Sequence, residues 1–420
     1  GTVFTRGTND DNFAIGLASA MGDVSLTVEE SVTADAGRAI TTYAQEGGVA
    51  ITVAEGATVW GGTTAIESAS TRGTRVDIAG TVTSQDGPAI AILENGFGVE
   101  GPADIRIAAT GTLDGRISFV GGNDTLTNAG RFLAGGESQF GAGEDRLVNS
   151  GVVALREGAG AITFTGPETL ENSGTVSLAN GRTGDSLTVS GALDGAAGSA
   201  LAVDLDIGNA RSDLIEVGDI AGTNALRLNI VGRGSGLGLD GLRILSSASG
   251  DDTGDELTLA PESLNRGFVS FALEYDGQDS WRLDSDLADA AYLGGAMAAG
   301  VRDLWHLGTD ALSTHLLATR DNDGASGVWM QAVGSDLEAQ SSLSHDRGTR
   351  DLAWDGSHEG LQLGAEKGFG PWRVGVTAGY GTAKISLGRD ENSKFDVLNA
   401  GLYAAYASDG WFGGALLRAD

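Results

Sequence analysis

GGNDTLTNAGRF at residues 121–132, GAGEDRLVNSGVV at 141–153 and TGPETLENSGTV at 165–176 are three copies of one pattern. They align on Leu126, Leu147 and Leu170, in steps of 21 and 23 residues. Asn128, Asn149 and Asn172 keep one offset, and Gly130, Gly151 and Gly174 another. Upstream, SVTADAGRAITTYAQ (31–45), ATVWGGTTAIESAS (57–70) and GTVTSQDGPAIAI (80–92) repeat in a second register, with Ala-Ile pairs at 39–40, 65–66 and 89–90. Periods above about 20 residues, made of short apolar stretches and Gly/Asn turns, mark a solenoid. One such turn cannot bury its own apolar face; stacked turns bury Leu, Ile and Val in a continuous column. The Asn-x-Gly corners are expected to supply left-handed backbone at each bend. Residues 1–200 therefore read as a parallel β-helix.

Composition agrees with an all-β chain. Of 420 residues 68 are glycine and 5 proline, with no G-X-Y period, which excludes collagen. A hydrophobic share of 41% excludes a disordered chain. The net charge of −31 repels phosphates, so no nucleic acid partner is expected. Cysteine is absent, so stability rests on burial alone. The only three lysines, Lys367, Lys384 and Lys394, lie near the C-terminus, a composition shift that hints at a second kind of structure. The chain opens on Gly1-Thr2-Val3 without a signal-peptide pattern, from which a missing N-terminus is expected.

Beyond residue 200 the pattern changes. Residues 201–285 hold longer strands; Leu226, Leu228 and Ile230 alternate with Arg227, Asn229 and Val231, as in an end cap that covers the last apolar rung. Residues 286–320 read as a linker helix, with Ser285 as N-cap, Asp286 and Asp289 in the first turn, and Leu293, Met297, Val301, Leu304, Leu312 and Leu316 on helical spacing. Residues 321–420 contain five period-two strands, at 328–340, 358–369, 372–387, 394–408 and 411–418. In the third, Trp372, Val374, Val376, Ala378 and Tyr380 share one face and Arg373, Gly375, Thr377, Gly379 and Gly381 the other. Apolar residues outside and polar or glycine inside, over about 10 residues, is the transmembrane β-strand signal. Trp329, Trp372, Tyr380, Tyr403, Tyr406 and Trp411 are expected in interfacial girdles.

The order of rungs, the segment D-L-D-x-G…S-D-L-I-E-V-G-D-I-A-G (204–222), a strand ending in S-W-R-L (280–283), a helix, and G-V-W-M-Q (327–331) resembles the classical (type Va) autotransporters. The S-D-x-x-x-V-x-x-x-x-G element at 212–222 is similar to their pertactin-like autochaperone junction. The resemblance implies a right-handed parallel β-helix passenger at 1–200, a cap or autochaperone-like region at 201–285, a pore-threading helix at 286–320 and the N-terminal part of a transmembrane β-barrel at 321–420. It implies lipid of the outer membrane and the barrel-assembly machinery as partners, and a host or surface ligand for the passenger. Small helix residues (Gly294, Gly295, Ala296, Ala298, Ala299, Gly300) would suit a confined pore, and inward Gly375, Gly379 and Gly381 would leave it room. Five strands do not close a barrel, so a truncated chain is expected. Residues 286–320 lack asparagine, which puts self-cleavage between paired asparagines in doubt.

Chemistry is sparse. Gly184-Asp185-Ser186-Leu187 spells the GDSL esterase signature, and Asp303-Leu304-Trp305-His306 its D-x-x-H. A nucleophilic serine needs a base in hydrogen-bond reach and an oxyanion hole. Ser186 lies in strand-like DSLTVSG with no helix after it, and His306 lies in the linker. A passenger enzyme, through Ser186 or through a domain upstream, stays as the alternative. Gly121–Asp124 and Gly141–Asp145 resemble calcium nonapeptide turns, but recur at about 20 residues, not nine, as solenoid turns do. His306, His315, His345 and His358 lack metal-ligand spacing, and His345 and His358 are expected in or beside a barrel loop. Tyr43, Trp60 and Phe97 stand alone on the solenoid, in capping or core roles, or as an adhesive ladder. No catalytic, cofactor or metal residue is assigned. The expectation is a surface-displayed structural or adhesive stalk.

Overall fold

The computed structural model describes residues 3–5, 12–94, 101–232, 239–288, 290–321, 326–340, 342–345, 348–351, 353–387, 391–408 and 410–420. Two compact units divide it, Gly1–Asp286 and Leu287–Asp420.

The first unit is a β-solenoid of about 9 turns. Each turn gives one short strand to each of three parallel ladders. One ladder runs from Val24–Val28 through Val49–Val53, Thr74–Ile78, Ala103–Ile107, Thr125–Asn128 and Arg146–Asn149 to Thr169–Asn172. The sequence repeats are the register: Ile40 pairs with Ile66 and Ile66 with Ile90, while Leu126 pairs with Leu147 and Leu147 with Leu170. These leucines and isoleucines are fully buried in one column. Phe119 meets Phe140 edge to face at 5.6 Å, and Phe132 lies 5.8 Å from Phe164, in the same buried core.

A buried polar ladder runs beside the apolar one. Asn128 Nδ2 donates to Asn149 Oδ1 at 2.8 Å, Asn149 Nδ2 to Asn172 Oδ1 at 2.7 Å, and Asn172 Nδ2 to Ser199 Oγ at 2.7 Å. Ser199 Oγ passes the chain to Asn224 Oδ1 at 2.7 Å. A second donor bond ties Asn128 to Val152 O at 3.0 Å and Asn149 to Thr175 O at 3.3 Å. Asn128 and Asn149 each thus have an asparagine as partner one rung on, which is why the residue recurs at the period of the fold. The glycines that follow are needed for another reason than expected. Gly130, Gly151 and Gly174 do not have positive φ. A Cβ on Gly130 would lie 2.2 Å from Ala108 O and one on Gly151 2.3 Å from Gly130 O, so the rung spacing, not a left-handed bend, excludes a side chain there.

The acidic turns form a third ladder. Asp124 Oδ1 accepts the Ala103 amide at 2.6 Å, Asp145 Oδ1 accepts the Asp124 amide at 2.8 Å, and Glu168 accepts the Asp145 amide. Burial, with the Glu168 charge adding to it, raises the Asp145 carboxyl above its ordinary value. Farther on, Asp204 Oδ2 accepts the amides of Asn180, Gly181 and Arg182 at 2.8, 2.7 and 3.0 Å. Asp213 Oδ1 accepts those of Gly184 and Asp185, both at 3.0 Å, and its Oδ2 that of Asp204 at 2.8 Å. The two aspartates pin the segment 180–185. Burial pushes the Asp213 carboxyl up to about 6, with Asp204 and Asp185 adding repulsion.

Parallel pairing continues past residue 200: Ala200–Asp206 pairs with Asn224–Val231, and the latter with Leu257–Leu259. Antiparallel strands close this end, Leu242–Ser247 pairing with Ser280–Leu287. Trp281 is fully buried there, 4.7 Å from Tyr275, with its indole donating to Gly254 O at 3.3 Å. Ser285 does not cap a helix. It and Asp286 belong to strand Ser280–Leu287, and the Ser285 hydroxyl accepts the Leu239 amide at 2.9 Å. Asp289 lies outside the described residues.

Among the described residues the second unit has one helix, α1 (Ala290–Ala318), and five long strands: β1 (Gly327–Ala339), β2 (Trp354–Phe369), β3 (Trp372–Leu387), β4 (Glu391–Ser408) and β5 (Trp411–Ala419). They form one antiparallel meander in chain order. A small hairpin of Ser342–His345 and Gly348–Asp351 stands between β1 and β2, which period-two reading missed because it is too short.

Two outcomes test the passenger. Asn149→Ala breaks the ladder in both directions and leaves buried neighbours unpartnered, at about 1–3 kcal/mol per orphaned group; the urea midpoint of the isolated secreted passenger is expected to fall accordingly. Asp213 has a folded pKa above its unfolded value, so its contribution to stability is lost as pH rises through about 4 to about 6. Relative to Asp213→Asn, the wild type is expected to lose stability across that window in pH-resolved urea melts; parallel pH profiles would contradict this.

Candidate functional site: a helix on an antiparallel sheet with an apolar outer face

The alternation of β1–β5 builds two faces of opposite chemistry. The cross-strand register places Val328, Ala365, Val376, Leu402 and Leu417 in one row. Met330, Leu363, Ala378, Ala400 and Ala419 form the next. These side chains are exposed, Val328 at 85% and Leu417 at 76%, and so is Leu398 in the following row beside Tyr380, at 74%. An exposed apolar band of this extent is not stable in water and suits a lipid environment. At the end with the tight turns, Phe369, Trp372, Tyr406 and Trp411 border the band, and Trp372 packs edge to face on Tyr406 at 5.0 Å. Tyr380 borders the other end, eight residues or about 27 Å along β3 from Trp372.

Trp329 and Tyr403 do not join these girdles. Their parity turns them to the opposite face, where the Trp329 indole donates to Tyr403 Oη at 2.9 Å and Tyr403 donates to Glu366 Oε2 at 2.8 Å. The inward glycines make room for these side chains and for the helix. A Cβ on Gly375 would lie 2.4 Å from Tyr403 Cζ, one on Gly364 2.3 Å from Trp329 Cε2, and one on Gly379 2.0 Å from Gln362 Oε1. A Cβ on Gly381 would meet Leu304 of α1 at 3.2 Å. The glycines therefore do not leave an open lumen; their neighbours occupy it. Gln362 spans three strands, donating to Thr377 Oγ1 at 2.7 Å and Asn399 Oδ1 at 2.9 Å.

Helix α1 lies along this inner face. Leu304, Ala311, Leu312 and Leu316 are buried, whereas Val301, expected with them, is 48% exposed. The side chains of residues 290, 292–296 and 299, Leu293 and four of the small residues among them, lie outside the described residues. Gly300 is fitted against Ile385 and Phe395, and Gly308 against Arg418, each closer than a Cβ would permit. At the far end, the His315 ring stacks on Trp329 at 4.5 Å and its Nε2 lies 3.1 Å from Glu366 Oε2. Arg373 Nη2 donates to Thr319 O at 2.8 Å, its Nη1 bonds Thr319 Oγ1, and its Nε lies 3.5 Å from Glu366 Oε1. His315, Glu366, Arg373, Tyr403 and Trp329 thus form one polar cluster that fixes the helix to four strands. Arg373 is legible in the sequence only as an inward position.

Ser186 opens strand Ser186–Gly195, with no strand-to-helix turn, and His306 is exposed on α1 in the other unit. His358 is not in a loop: it is buried on the inner face of β2, opposite Ser335 and Ala383. The His345 side chain and Phe97 lie outside the described residues. Trp60 faces outward on the solenoid between Thr33 and Thr83, and Tyr43 sits in a ladder strand opposite Ala69. Among the described residues no group of three or more His, Asp or Glu side chains is placed to hold a metal ion.

Gly375→Ala places a methyl group inside the Tyr403 ring. Slower appearance of the heat-resistant folded barrel is expected on gels of outer-membrane fractions, with the defect relieved by adding Tyr403→Ala.

Residues 328–419 match the family model of the autotransporter beta-domain. No curated protein and no solved structure matches the chain. That family carries with it an outer-membrane setting and the barrel-assembly machinery. A β-solenoid passenger followed by an autotransporter β-domain makes this chain an outer-membrane autotransporter of the classical kind, its β-domain in the outer membrane and its solenoid at the cell surface.

Proposed function

We propose that the solenoid is a structural or adhesive stalk that binds a host or surface ligand and has no catalytic role. The observation that carries this is the interior of the first unit. Its buried asparagines from Asn128 to Asn172 bond the next rung, and Asp124, Asp145, Asp204 and Asp213 each accept backbone amides. Such groups hold the fold together, and among the described residues they form no convergent set for chemistry. The division of labour follows: residues 1–200 as passenger, 201–285 as an autochaperone-like cap, 286–320 as pore-threading helix and 321–420 as barrel strands. Closure of the end by Leu242–Ser247 and Ser280–Leu287 around Trp281 supports the cap assignment.

Surface proteolysis of cells carrying the full gene tests the reading. External protease is expected to remove the solenoid epitope and leave a membrane-embedded fragment that contains β1–β5. The same cells are expected to show no hydrolysis of a short-chain nitrophenyl ester that depends on Ser186, judged by Ser186→Ala. A protected, folded solenoid would overturn surface display, and Ser186-dependent turnover would overturn the stalk.

A further inference from the structure

We infer that the outer face of the β-domain carries a binding site for the phosphate of an outer-leaflet lipid headgroup, held by Lys384 and Lys394. The inference rests on the outer-membrane reading and adds a ligand to it.

The chain carries a net charge of −31 and only three lysines. Two of those three, Lys384 of β3 and Lys394 of β4, are direct cross-strand partners. Both lie on the outward parity that carries Val376 and Leu402, and both are exposed. Side chains directly opposite on adjacent strands have Cβ atoms about 5 Å apart, and like charges there destabilise the pair. An acidic chain that places two of its few ammonium groups face to face has accepted that cost at one point. An anion between them reverses its sign.

Position selects the anion. Lys384 stands four residues past Tyr380, the border of the apolar band, or about 14 Å along a strand and about 10 Å along the membrane normal at the usual barrel tilt. That is headgroup depth. Long lysine stems reach along such a surface while the ammonium stays in the polar layer. This is the end of the sheet at which α1 packs by Gly300 on Ile385 and Phe395, before running to Thr319 and Arg373 at the tight turns. The passenger enters α1 from this end, so the lysines face the outer leaflet.

The surroundings complete a phosphate site. Ser357 of β2 is the other partner of Lys384, and one row beyond, Ser386 donates to Asn392 Oδ1 at 2.7 Å. Glu359, Asp355 and Asp396 lie on the adjoining outward rows. Asp396, two residues from Lys394 on the same face of β4, is its electrostatic neighbour, so the anion has to compete with one carboxylate for that ammonium group. Two point-charge ammonium groups with a hydroxyl and an amide donor match a phosphate monoester. Because they project toward lipid, the phosphate is a lipid's and not a free anion's.

Native mass spectrometry of the full-length, detergent-purified protein tests this, with folding monitored by heat-modifiable migration. Diphosphorylated lipid A is the probe, with its dephosphorylated form and inorganic phosphate as comparators. Lipid A binding is expected to weaken about tenfold or more in K384Q/K394Q, two charge-assisted contacts being lost. It is expected to recover in K384R/K394R and to be unchanged in Lys367→Gln at the opposite end. Should the double variant not fold, each single Gln substitution is expected to weaken binding on its own. Unchanged affinity in the Gln variants, equal binding of the dephosphorylated lipid, or displacement by equimolar inorganic phosphate would each overturn the site. Absence of the protein from the outer membrane would instead overturn the reading beneath it.

Discussion

Everything in the passenger depends on one rung lying on the next in register. A turn of about 20 to 30 residues has a single layer of apolar side chains and unpaired amides on both sides; alone it satisfies neither. Stacking pairs the backbone along three ladders and shares the apolar column among all turns. Register is then the quantity that the sequence must defend, and it is defended in the interior. A slip of one residue would turn Leu126, Leu147 and Leu170 outward. It would also separate each asparagine from its partner, leaving buried amides without bonds. The polar ladder contributes little attraction relative to water but penalises every wrong register, so its role is specificity.

The β-domain meets the same backbone requirement under a different solvent. In lipid, no water satisfies a lone amide, so the strands must pair along their whole length. The meander does this over long strands, and the cost moves to the inner face. There polar side chains must be hydrogen-bonded to each other, as Gln362 is to Thr377 and Asn399, or to the helix, as Arg373 is to Thr319. Glycine at 364, 375 and 379 is the means by which large inward side chains lie flat against the sheet and reach those partners.

The parts legible in sequence were those with a fixed period. The Ala-Ile and Leu/Asn repeats translated into register directly, because in a parallel ladder equal offset means direct stacking. The five long strands followed from alternation. What was not legible depended on partners far along the chain. The role of Gly130 is set by Ala108 O, of Gly375 by Tyr403, and of Ser285 by Leu239, none of which local propensity reports. Trp329 and Tyr403 were assigned to girdles by residue type, whereas parity decides; Val328 and Leu402, beside them, mark the outward face. The polar cluster around Glu366 draws on α1 and four strands, a conjunction that no motif encodes.

That cluster also explains how a weak helix keeps its place. Glycine at 294, 295, 300 and 308 lowers the intrinsic stability of α1. Two of these, Gly300 and Gly308, are where Ile385, Phe395 and Arg418 approach too closely for any side chain. The lost propensity is therefore exchanged for closer packing, and a helix made of such residues gains its order from the sheet. Its far end is where the exchange is completed. His315 stacked on Trp329, and Thr319 held by Arg373, give the last turn polar partners that water would otherwise supply. A segment that must be thin to lie inside a sheet cannot also be rigid on its own account, so the sheet has to carry the fixing groups, and Glu366, Arg373 and Tyr403 are those groups.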